Sequence, residues 1–174
     1  FARPFGYEVN LSSSDRESPE RGRMSQTLMK SERDLGGMIS FDVRREKHLL
    51  KKIKIDAGFF NGQGINAPAD FDSKKDFIGR ISLKTVKLSK TIGLTAGVSL
   101  LSGGLLQNTK YVYTTQAAND AKIFKVDSSE SNTGKISPRI YKGIDAQLKI
   151  KNKIGFTELR AEFITGTQTG TANN

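Results

Sequence analysis

Thr91-Ile92-Gly93-Leu94-Thr95-Ala96-Gly97-Val98-Ser99-Leu100-Leu101 decides the fold class, because apolar and polar residues change places at almost every step. Successive side chains of a strand point to opposite faces of its sheet. A period of two therefore puts Ile92, Leu94, Ala96, Val98 and Leu100 on one face and Gly93, Thr95, Gly97 and Ser99 on the other. The span 91–109 carries no charge and is long enough for a membrane-crossing helix, but Gly93, Gly97, Gly103, Gly104 and several Ser and Thr make it a poor one. It reads as a strand running into a loop.

The same period recurs on both sides. Upstream, Leu35, Gly37, Ile39, Phe41 and Val43 oppose Gly36, Met38, Ser40 and Asp42, and Ile53, Ile55, Ala57 and Phe59 oppose Lys52, Lys54, Asp56 and Gly58 before the turn signal Asn61-Gly62. Phe77, Gly79, Ile81 and Leu83 then alternate with Ile78, Arg80, Ser82 and Lys84. Downstream, Ile140, Ile144, Ala146, Leu148 and Ile150 oppose Arg139, Tyr141, Gly143, Asp145, Gln147 and Lys149, and Leu159, Ala161 and Phe163 oppose Glu158, Arg160 and Glu162.

Connections alternate in length. Residues 87–90 and 151–153 are tight turns, whereas 10–32, 61–73 and 102–135 are long and polar, with a helix of one or two turns expected inside 18–30. Short turns on one rim and long loops on the other are the pattern of outer-membrane barrels, and strands of about 9–11 residues suffice to cross a bilayer at a tilt. A soluble sandwich also alternates, but it buries its apolar face. The mixture of Gly, Ser, Thr, Gln and paired charges on the polar face matches a water-filled lumen. The expected fold is therefore all-β, an antiparallel transmembrane barrel, with residues 1–174 forming a segment of one barrel domain and 10–32 folded into its mouth.

Composition narrows the chemistry. The 174 residues include no Cys, which excludes disulfides and thiolate metal sites, and no Trp. The lone histidine, His48, sits among Arg44, Arg45, Glu46 and Lys47 and reads as a solvated turn residue. No leader precedes Phe1, so a signal sequence is expected to have been removed or to lie outside this segment. The net charge of +10 calls for an anionic partner. Nucleic acid is not expected, since the Lys and Arg form no stripe or arm and the four Tyr make no aromatic run.

Candidate motifs have plain readings. Asn61-Gly62-Gln63-Gly64 lacks the third glycine and following helix of a phosphate-binding loop and reads as a strand-end turn. Asp15/Glu17 and Glu158/Glu162 lie beside Arg16, Arg21 and Arg160 and read as ion pairs in place of an acid–base couple. Catalysis and cofactors are not expected. Lys52, Lys54, Arg80, Lys84, Arg139, Lys149 and Arg160 share the polar sides of separate strands and would converge on one lumen if the sheet closes, where they would lower the barrier for anions. Pairing with Asp56, Asp76, Asp145, Glu158 or Glu162 is the alternative for each.

Phe1-Ala2-Arg3-Pro4-Phe5-Gly6-Tyr7-Glu8 followed by a Ser-rich loop and Arg33-Asp34-Leu35-Gly36, then Gly58-Phe59-Phe60-Asn61-Gly62-Gln63-Gly64, Asp76-Phe77-Ile78-Gly79-Arg80, Tyr141-Lys142-Gly143-Ile144-Asp145 and Glu158 to Gly166, resembles the phosphate-selective porin O/P family. The resemblance implies a barrel of around sixteen strands, of which this segment is roughly half, commonly a trimer in the outer membrane of a Gram-negative bacterium. It also implies Arg16, Arg21 and Arg23 as constriction residues, among the acidic Asp15, Glu17 and Glu20. The expected function is passive, anion-preferring diffusion of small hydrophilic solutes, phosphate among them, with outer-membrane lipid and lipopolysaccharide as surroundings. A non-conducting barrel that scaffolds a larger assembly, or a soluble exported β-sandwich that binds an acidic polymer, are the rival readings.

Overall fold

A computed structural model describes residues 1–168 apart from 12, 13, 15, 17, 19, 30, 46, 68, 69, 71, 119 and 120. Asp15 and Glu17 of the acidic loop therefore lie outside the described residues. The fold is all-β and antiparallel. A short helix, α1 (Arg23–Leu28), precedes the strands β1 (Gly36–Asp42), β2 (Ile53–Phe60), β3 (Asp76–Lys87), β4 (Ile92–Leu106), β5 (Val112–Ala118), β6 (Ala121–Asp127), β7 (Ile136–Lys151) and β8 (Phe156–Gln168).

Six strands form one open sheet in the order β1-β2-β3-β4-β7-β8, every neighbouring pair antiparallel. β5 and β6 pair only with each other and are inserted between β4 and β7. The alternation quoted above constrains this register, because a slip of one residue would exchange the two faces. β4 runs to Leu106 and the 102–135 stretch carries the β5–β6 hairpin, so that region holds more strand than its polar composition indicates. The helix expected within 18–30 is the six-residue α1.

The two faces are opposite in character. Phe41, Ile55, Ile81, Val98, Ile144 and Phe163 follow one another across six strands in a single register row, all on one side. All six are exposed, up to 63% for Phe163. On the other side Asp56, Asp76, Arg80, Ser99, Arg139 and Asp145 are buried, Asp76 completely. What covers this charged face are described residues of the segment 1–34, among them Phe5, Gly6, Tyr7 and Met29. The segment closes on itself through an antiparallel bridge between Ala2 and Arg33 and a hydrogen bond from the Asp34 amide to the Phe1 carbonyl at 2.9 Å.

The core lies between this segment and the sheet. Phe5, Val9 and Met29 from the segment meet Phe60, Ile78, Leu101 and Tyr141, with Met38 and Ile164 at the margin. Met38, Ile78, Leu101 and Tyr141 lie in one register row, so the charged face has an apolar stripe running across it. The Phe5 ring meets Tyr141 edge-on at 6.2 Å, an arrangement favoured by the ring quadrupoles.

Candidate functional site

The site is the charged face and the segment seated on it. Two buried ion pairs join β3 to β7, strands that are not neighbours, by reaching over β4. Arg80 grips Asp145 with two hydrogen bonds of 2.6 and 2.8 Å, and Arg139 pairs with Asp76. Both cross at glycines. A Cβ at Gly97 would strike the Arg80 guanidinium, and one at Gly103 would strike the Asp76 carboxylate. The glycines of β4 thus leave a channel deep enough for side chains from either side to meet.

The Arg139–Asp76 pair continues into the N-terminal segment. Arg139 Nη2 donates to the Gly62 carbonyl at 3.0 Å, the Gly62 amide donates to Asp34 Oδ2 at 2.7 Å, and Arg3 Nη2 donates to the same oxygen at 2.7 Å. Gly62 takes a positive φ of 87°, which glycine accepts without steric cost, and this lets its amide and carbonyl serve both partners. Burial lowers the Arg3 pKa from its ordinary value, with the adjacent Asp34 carboxylate opposing the shift.

The Arg80–Asp145 pair seats the segment near the middle of the sheet. Ser99 Oγ accepts from Arg80 Nη1 and from the Gly6 amide, each at 3.0 Å, and the Tyr7 amide donates to Glu162 Oε1 at 3.1 Å. Gly6 has a φ of 67°, and any side chain there would collide with Glu162. Farther along, Glu8 receives the Gly22 amide at 2.6 Å and the Ser25 hydroxyl, folding the segment back on α1. Arg21 Nε donates to Glu32 at 2.5 Å, and this bond holds the Glu32 carboxyl below its usual range.

The ten basic residues singled out from sequence separate into distinct groups. Arg80, Arg139, Lys54, Lys84 and Arg160 stand on the charged face, each against a carboxylate: Asp145, Asp76, Asp56, Asp42 and Glu158 respectively. Lys149 is on the same face, its Nζ 3.9 Å from the centre of the Phe156 ring. Lys52 departs from the expectation: it ends a 3-10 turn, Leu49–Lys52, outside β2. Arg21 is buried on Glu32, Arg16 lies 4.0 Å from the same carboxylate, and Arg23 is exposed at the start of α1. Of the acidic pair Glu158/Glu162, Glu158 is taken by Arg160 and Gln147, and Glu162 accepts the Tyr7 amide.

A cavity of about 230 Å³ remains between the segment and β8, lined by Tyr7, Glu8, Arg16, Glu20, Arg160 and Glu162. Its walls carry both signs of charge. Among the described residues no group of His, Cys, Asp and Glu is arranged to hold a metal ion. His48 is exposed in the β1–β2 connection, where its Nδ1 accepts the Leu50 amide at 3.1 Å.

Sequence reasoning did not locate Phe5, Gly6, Ser99 or Asp34, which build the seat. A signal for it was present in the apolar doublets Phe59-Phe60, Phe77-Ile78, Leu100-Leu101, Ile140-Tyr141 and Phe163-Ile164, each of which must send one side chain to the polar face. Comparison of the chain with known protein families, with characterised proteins and with solved structures found no match.

Proposed function

We propose that this chain is part of an outer-membrane β-barrel porin of the phosphate-selective O/P type, passing small anions through a water-filled lumen without catalysis. The observation that carries the reading is the inversion of the sheet. Ile39 at 81%, Phe59 at 61%, Ile144 at 58% and Phe163 at 63% are exposed while Asp76 and Arg80 are buried. Burying one such side chain is worth about 1.5–3 kcal/mol, so a water-soluble sheet would turn this face inward. Lipid is the solvent that favours it outward, with charges on the lumen side. A soluble sandwich loses its support for the same reason.

On this reading the six-stranded sheet is an arc of the wall, residues 1–174 belong to one barrel domain in the outer membrane of a Gram-negative bacterium, and the segment containing 10–32 sits in the mouth. Assembly as a trimer, with lipid and lipopolysaccharide around it, follows from the family resemblance. Because the segment covers much of the charged face, a non-conducting scaffold is the second reading. Planar-bilayer recording under a potassium chloride gradient tests both. A reversal potential shifted toward chloride, reduced by Arg80→Glu with Lys84→Glu, supports the anion porin; a potassium preference defeats it, and an electrically silent membrane holding inserted protein favours the scaffold.

A further inference from the structure

The meander brings three connections to one end of the sheet: 43–52 between β1 and β2, 88–91 between β3 and β4, and 152–155 between β7 and β8. Together with the flanking strand ends Lys87 and Lys151, these stretches of sequence contain nine Lys or Arg and one acidic residue. The N-terminal segment and the connections at the opposite end are nearly balanced in sign, as are the strands. Eight of the chain's ten net positive charges therefore stand on a single rim. Sequence spacing hides this, because the residues lie far apart along the chain and only the topology collects them.

Each connection has the same composition. Leu50 lies between Lys47 and Lys51, Leu88 between Lys87 and Lys90, and Ile154 follows Lys151 and Lys153. These three apolar side chains are exposed by 39%, 60% and 100%. Local hydrogen bonds fix the tips: Asn152 Oδ1 accepts the Ile154 and Gly155 amides at 3.0 and 2.7 Å, Ser89 Oγ accepts the Ile92 amide at 3.1 Å, and His48 accepts that of Leu50. Among the described residues no carboxylate lies within salt-bridge distance of Lys47, Lys87, Lys90, Lys151 or Lys153. The rim is a preformed set of apolar tips beside these five lysines.

We propose that this rim docks on the anionic headgroup layer of a phospholipid membrane, the lysines facing phosphodiesters and Leu50, Leu88 and Ile154 entering the boundary with the acyl chains. Charge complementarity selects the headgroups, since each Lys or Arg near an anionic surface contributes roughly a fivefold gain in binding. The apolar tips favour lipid over a polar polyanion, which would leave them in water. The proposal rests on the barrel reading, because strands that cross the bilayer bring this rim to the interface.

The test reconstitutes the full chain into vesicles of phosphatidylcholine alone and of phosphatidylcholine with phosphatidylglycerol, followed by native mass spectrometry of the retained lipid. The expected result is preferential retention of phosphatidylglycerol, weakened by salt. Replacing Lys87, Lys90, Lys151 and Lys153 with Gln should lower that preference by roughly 600-fold, about fivefold for each lysine, while insertion into neutral vesicles persists. Ile154→Ser with Leu88→Ser should weaken retention without abolishing its salt dependence. Equal retention of both lipids by an inserted protein overturns the rim proposal and leaves the barrel standing. Salt-sensitive binding to acidic vesicles that alkaline carbonate extracts overturns the barrel and keeps the rim. Displacement of the lipid by soluble polyphosphate or an acidic peptide at equal charge overturns the lipid as partner.

Discussion

Replacing Arg139 with Ala should destabilise the protein by about 3–5 kcal/mol, because it leaves the Asp76 carboxylate buried with its cationic partner gone. Asp76 is fully buried and Arg139 is 7% exposed, so water screens neither. After the substitution Asp76 keeps, among the described residues, only the Gly104 amide at 3.1 Å of the donors that now hold it. The Gly62 carbonyl loses its donor too, which loosens the turn that Asp34 grips from the other side. Asp76→Ala combined with Arg139→Ala removes both charges and should cost less than the sum of the single changes by 2 kcal/mol or more, a coupling on the order expected for contacting buried groups. The assay is urea unfolding in lipid vesicles, with the midpoint converted through a common slope. A loss of under about 1 kcal/mol for Arg139→Ala, the range of an exposed pair, would refute the reasoning by showing that water reaches the pair.

The seat of the N-terminal segment makes a second prediction: Ser99→Ala with Glu162→Gln should raise hydrogen exchange at Gly6 and Tyr7 while leaving the β4–β7 amides protected, and unchanged exchange at Gly6 would count against the seat. Glu32 gives a pH dependence. Its carboxyl pKa is held below the ordinary value of 4.5 by Arg21, so its contribution is present above that value and is lost as pH falls through the lowered one. Proteolysis of the 1–34 segment should therefore rise on acidification below about pH 4.5 and not between pH 5 and 7; Glu32→Gln should flatten the rise. Gly97→Val should be defective in folding, since its side chain would displace both Arg80 and Asp145, whereas Gly134→Ala, where nothing lies within 4 Å, should cost only the strain of a positive φ, both read from yield and unfolding midpoint. On the apolar face, Ile144→Lys should cost about 2–4 kcal/mol if the site lies near the bilayer midplane.

The alternation of 91–101 was enough to assign the strand and its two faces, but a slip of two residues preserves both faces, so the register that aligns Ile81, Val98 and Ile144 was not legible. It could not say which face would be covered. That depends on Phe5, Val9 and Met29, which sit in a stretch without periodicity and become a core only through long-range contacts. The ionic partners were half legible. Asp145 and Arg139 were visible as lumen-side charges, but Arg80 reaches Asp145 across a strand, a choice made by the absence of a side chain at Gly97. Lys52 was read as part of a strand because it continues the alternation of Ile53 and Lys54. The His48 cap instead winds Leu49–Lys52 into a 3-10 turn. The basic rim was invisible for the opposite reason: its residues are ordinary turn lysines until topology places three connections at one end.

The central claim is that one face of the sheet meets lipid and the other meets the lumen, and the absence of cysteine makes it directly measurable. Single cysteines at Ile55, Val98, Ile144 and Phe163, and at Ser40, Ser82, Thr95 and Gln147 on the opposite face, can each carry a nitroxide in the vesicle-reconstituted protein. Their collision rates with oxygen, which concentrates in the bilayer, and with a water-soluble nickel chelate should then alternate. The account predicts high oxygen and low nickel accessibility at the first four positions and the reverse at the second four; equal nickel accessibility on both faces, or oxygen-poor contact at Val98 and Ile144, would contradict it.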